Sequence, residues 1–128
     1  MDHRTEGILL IVLMIALSLV FQIQMKLFAA ALGTLLDTAD GWSSSISALL
    51  KAFLGWRGFF IALLSASLFI LWLLALTRLE LSFALPIASI ALVVTAVGGG
   101  LWLGENLSWV RVIGLVTTAV GIGLVISS

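Results

Sequence analysis

The chain has 128 residues, six basic and six acidic, with one histidine and no cysteine. Hydrophobic residues make up 62% and charged ones 9%, with a mean hydropathy of +1.32, whereas a soluble domain is nearer half apolar and about a quarter charged. That excludes a water-coated globule, a nucleic-acid-binding surface, which needs clustered basic residues, and any disulfide or thiol chemistry; the solvent for this fold is lipid.

A helix needs roughly 20 apolar residues to cross a bilayer. The first segment to qualify is residues 8–33. The polar tail before it carries His3, which has no partner at metal-ligand spacing, so no metal site is expected. The apolar stretch outruns the ~7–15 residues of a cleaved leader, and Lys26 interrupts it, so the segment is expected to stay as a permanent helix. An ammonium inside hydrocarbon costs about 2.5 kcal/mol or more and normally faces a partner or a watery path. Gln22 and Ser18 precede Lys26 at successive steps of four, which puts all three on one helix face. Two readings stay open. The lysine stem can snorkel toward the span end, about 10 Å away, or the ammonium faces inward as counter-charge to an anionic group. Gln22 favours the second, because a short amide reaches the interface poorly.

Asp37 to Gly41 is turn-like. Residues 43–55 follow with Ile46, Leu49, Leu50, Phe53 and Leu54 on one helical face and Ser43, Ser44, Ser47 and Lys51 on the other. With Trp42 and Trp56 as interface aromatics, this predicts an amphipathic helix in the headgroup layer. It either covers the bundle end or guides a lipid-like substrate.

The second span is residues 58–77, and the third is 81–103. Within the third, Pro86 removes the hydrogen bond to the Ser82 carbonyl. A freed carbonyl at membrane depth must find another partner, so Ser82 and Pro86 mark a kink or a cavity wall. Gly98, Gly99 and Gly100 expose bare backbone, for close packing or for a bend. The fourth span, residues 110–126, carries Gly114, Thr117, Thr118 and Gly121, small residues at four-residue spacing that let helices approach closely in lipid. They predict a helix–helix or dimer seam. Arg78, Glu80, Glu105 and Arg111 read as span-end charges. Arg4 and Arg78 oppose Lys51, Arg57 and Arg111, too small an asymmetry to set orientation. No catalytic triad, carboxylate pair or phosphate loop is present, so neither enzyme activity nor a cofactor is expected.

Several stretches together resemble the drug/metabolite transporter superfamily, in its four-helix EamA-like and small-multidrug-resistance-like members. They are Gln22-Ile23-Gln24-Met25-Lys26, Leu81-Ser82-Phe83-Ala84-Leu85-Pro86, Gly104-Glu105-Asn106-Leu107-Ser108, and Gly114 through Gly121-Ile122. Small multidrug transporters carry a proton- and drug-binding glutamate eight residues before the first-span lysine; Ser18 stands there in this chain. The pattern is more similar to the paired small subunits proposed to flip aminoarabinose-phosphoundecaprenol. The resemblance implies a multi-pass protein of the bacterial inner membrane, working as a homodimer or a heterodimer with a similar subunit. Its implied substrate is a lipid-linked sugar phosphate. Lys26 would offset the phosphate charge, Gln22 and Ser18 would hydrogen-bond the head group, and Ser82 and Pro86 would shape the cavity. A small-multidrug-type exporter and a non-transporting accessory subunit are the alternatives. The expected fold is an all-α membrane protein of four transmembrane helices with an interfacial helix in the first loop.

Overall fold

The computed structural model describes residues 2–128. Among them are six helices and no strand: α1 (His3–Asp37), α2 (Trp42–Leu54), α3 (Trp56–Leu76), α4 (Leu81–Ala88), α5 (Ile90–Trp102) and α6 (Trp109–Ser127). Four stretches are long and apolar enough to cross a membrane: α1, α3, α4 with α5, and α6. The chain is an all-α, multi-pass membrane protein.

The first helix extends beyond its apolar span, residues 8–33, at both ends. Its 35 residues rise about 52 Å, well beyond the ~30 Å hydrocarbon core, so α1 tilts or projects from it. The polar residues at both ends continue the helix because nothing breaks it before the Thr38–Gly41 turn. The third span is interrupted, as Pro86 leads one to expect. The helix lapses at Ser89, whose hydroxyl and N–H both donate to the Leu85 carbonyl, at 2.8 and 2.9 Å. Leu92 N–H then bonds Ser89 at three-residue spacing, 3.0 Å, a local tightening that absorbs the proline.

The buried core is confined to one end of the bundle. Ile11 and Ile15 of α1 meet Ala75 and Leu79 around the end of α3, and Ala84 and Ile87 of α4. Ile126 of α6 packs against the same cluster, so both ends of the chain lie here; we call this the terminal end. A polar clasp closes it. The Arg78 guanidinium lies 3.4 Å from the Glu6 carboxylate and also contacts His3, while Arg4 sits over the Phe83 ring, 4.6 Å from its centroid. Gly7 is required by this docking, because a side chain there would collide with Leu79.

At the opposite, loop end, α2 packs on α1 and α3, with Phe28 and Phe53 edge to face at 5.3 Å. Ile46, Leu50, Phe53 and Leu54 stay exposed, as do Trp42 and Trp56. The apolar face expected of this helix is therefore present, with Leu49 half-buried and Phe53 against Phe28, and much of the rest left uncovered by the chain. The last helix is the least integrated element: it contacts α4 and α5 and none of its residues is buried.

Candidate functional site

Lys26 lies toward the loop end of α1, where α1 packs against α5. A cavity of about 210 Å³ lies between them. From α1 come Gln22 and Lys26, flanked by Leu19 and Ile23. From α5 come Thr95, Ala96 and Gly99, and the following turn adds Leu103 and Glu105. The i−4 spacing that joined Gln22 to Lys26 thus places both on one cavity wall.

Lys26 does not stand there alone. Its Nζ lies 2.9 Å from Glu105 Oε1. Three local features bring the carboxylate in. Gly104 has φ +64°, a left-handed conformation that costs glycine nothing and turns the chain back on α5. Glu105 N–H then bonds the Gly99 carbonyl at 3.4 Å. Finally, a Cβ on Gly99 would lie 3.3 Å from Glu105 Oε2, so the bare backbone leaves room for the carboxylate. The neighbouring glycines have separate uses: a side chain at Gly98 would strike Leu19 of α1, and one at Gly100 would strike Leu107. Close packing accounts for all three.

The side chains of Lys26 and Glu105 are 59% and 42% exposed. The pair is therefore not enclosed by its own chain, and where water reaches it such a pair is worth about 0–1 kcal/mol. Glu105 also lines a second cavity of about 290 Å³, together with Arg111 and Gly114. One carboxylate thus borders two spaces, each with its own cation.

The other expected site residues are placed elsewhere. Ser18 shares the face of Gln22 but lies outside the cavity lining, and its hydroxyl donates to the Ile15 carbonyl of its own helix at 2.7 Å. Ser82 and Pro86 belong to α4 near the terminal end, roughly 14–20 Å along the helix axis from Thr95, and do not line the cavity. Gly114 and Gly121 meet nothing on their open side. Thr117 and Thr118 are exposed, with hydroxyls bonded to the Ile113 and Gly114 carbonyls at 2.9 Å. Apart from Gly114, which borders the Glu105 cavity, the small-residue face of α6 is therefore exposed.

Glu105 is the residue that sequence reasoning underrated. It reads as a span-end charge, yet an ammonium in a span needs a counter-charge, and Asp37, Asp40 and Glu105 are the acidic residues on that side. The flexible Gly104 before it was the available signal. Compared with known proteins, the chain matches no family model, no curated protein and no solved structure.

Proposed function

We propose that the chain is a subunit of a bacterial inner-membrane transporter or flippase that moves an amphipathic anion, a polyprenyl-phosphate sugar, between leaflets as a dimer. The observation that carries this reading is the Lys26 ammonium on a cavity wall beside Gln22, held by an exposed carboxylate. A phosphate oxygen offers the ammonium the same charge-assisted hydrogen bond that Glu105 does. Because the Lys26–Glu105 pair is weak, a phosphate can displace the carboxylate at little cost. Gln22 then supplies an amide to the head group. The released carboxylate has Arg111 across the adjoining cavity. A second copy, or a similar small subunit, would cover the open face of α6 and enlarge the cavity.

The test is transport of a lipid-linked sugar phosphate across proteoliposomes containing the protein. Lys26→Ala is expected to lower the rate more than about ten-fold, the loss of one charge-assisted contact of about 1.5–3 kcal/mol, and Lys26→Arg to retain part of it. Full activity in the alanine variant would remove Lys26 from the mechanism.

Glu105 also favours a second reading, export of a small organic cation. A cation would take the carboxylate and release Lys26. In that case Glu105→Gln abolishes cation binding, whereas for the phosphate substrate it strengthens binding by removing the competitor.

A further inference from the structure

At the terminal end, far from Lys26, a cavity of about 380 Å³ opens where the first turn of α1 meets the α3–α4 turn and the start of α4. Its charged lining is Arg4, Arg78 and Glu80, with Leu79 and Phe83 as apolar walls. The volume lies in the ~300–1,000 Å³ range of small-ligand sites. Arg78 is already neutralised by Glu6. Arg4 and Glu80 are not: among the described residues neither forms an ion pair, with each other or with anything else. Arg4 instead sits over the Phe83 ring, 4.6 Å from its centroid, a cation–π contact that pairs its charge with no carboxylate. Glu80 stands at the N-cap of α4 yet makes no side-chain cap bond, so its carboxylate is not consumed by the backbone; its carbonyl accepts from Phe83 and Ala84 N–H, which leaves the Leu81 and Ser82 amides open beside it.

Two ions of opposite sign on one cavity wall, unpaired with each other, are complementary to a ligand that carries both charges. The depth narrows the choice. The apolar run of α1 begins at Ile8, just beyond Arg4, and α3 ends at Leu76, so the cavity sits where the spans meet the headgroup layer. We propose that it binds a zwitterionic phospholipid head group bearing a phosphate and a primary amine. The phosphate lies on Arg4 and Arg78, whose N–H groups match its oxygens. The ammonium donates N–H bonds to Glu80. A quaternary amine has no N–H to give, and a glycerol head group has no positive charge, so Glu80 selects the primary amine. The site stands whether or not Lys26 carries a transported substrate.

Native mass spectrometry of the purified full chain, stripped of lipid and offered defined mixtures, tests this. Phosphatidylethanolamine is expected to be retained about five-fold over phosphatidylcholine and phosphatidylglycerol, the size of one exposed charged contact. Glu80→Gln should erase that preference, while Glu80→Asp should keep most of it. Arg4→Gln should lower retention of all three lipids. Both positions are exposed, and Arg78 is left intact to preserve the clasp with Glu6. Inorganic phosphate in ten-fold excess should leave the bound lipid in place. Equal retention of the three lipids by the unaltered chain, a preference that survives Glu80→Gln, or displacement by inorganic phosphate would each overturn the proposal.

Discussion

The two ends of the bundle are built on different terms. At the terminal end α1, α3 and α4 bury Ile11, Ile15, Ala75, Leu79, Ala84 and Ile87 in one cluster, and Arg78 ties α1 to the α3–α4 turn through Glu6. At the loop end no comparable cluster of buried side chains forms among the described residues, and the Lys26 and Glu105 side chains of its ion pair are 59% and 42% exposed. In lipid, close packing rather than expulsion of water holds helices together. The terminal end therefore supplies the rigidity, and low contact density at the loop end marks it as the part with freedom to rearrange. The transport site we propose lies where packing is weakest, as suits a site that must bind and release its substrate.

Adding volume at each end should separate these roles. Ala75 is fully buried in the core. Ala75→Leu has no space to occupy and should destabilise the fold by about 1–3 kcal/mol, read from unfolding in mixed micelles by loss of helical circular dichroism. Ala96 lines both cavities that Glu105 borders. Ala96→Leu should grow into them and change stability by less than about 0.5 kcal/mol, while transport falls sharply. A large loss of stability from the second substitution, or none from the first, would erase the distinction between the ends.

Most of the fold was legible in the sequence because in lipid it is governed by apolar length and period. The four spans and the amphipathic α2 follow from runs of hydrophobic residues and the Ile46-Leu49-Leu50-Phe53 repeat, and Pro86 announced the interruption before α5. The apolar run 8–33 marks the span but not the ends of α1, since nothing in a polar helical turn distinguishes residues that still lie within the helix. The site divides by range of interaction. Gln22 with Lys26 was readable because both stand on one helix at a fixed step. Glu105 was not, because its role depends on α5 packing against α1 and on the Gly104 turn that aims it inward. Ser82 and Pro86 were grouped with Lys26 on chemistry alone; the helix axis then sets them at a different depth. Arg4 and Glu80, separated by most of the sequence, gave no hint that they share a cavity.

The smallest expected effect is the most informative. If the Lys26–Glu105 pair is a releasable counter-ion, it must contribute little to the fold. A double-mutant cycle of Lys26→Met, Glu105→Gln and the pair together isolates their coupling from whatever else each side chain does. Both groups are substantially exposed, so the coupling should fall below about 1 kcal/mol, and each single variant should unfold close to the unaltered protein. Transport should respond oppositely to the two changes: loss with Lys26→Met, and tighter binding of an anionic substrate with Glu105→Gln. A coupling above about 3 kcal/mol is the signature of a buried pair. That result would make the pair a strut between α1 and the α5–α6 turn, and an anion would then have to break the structure in order to bind.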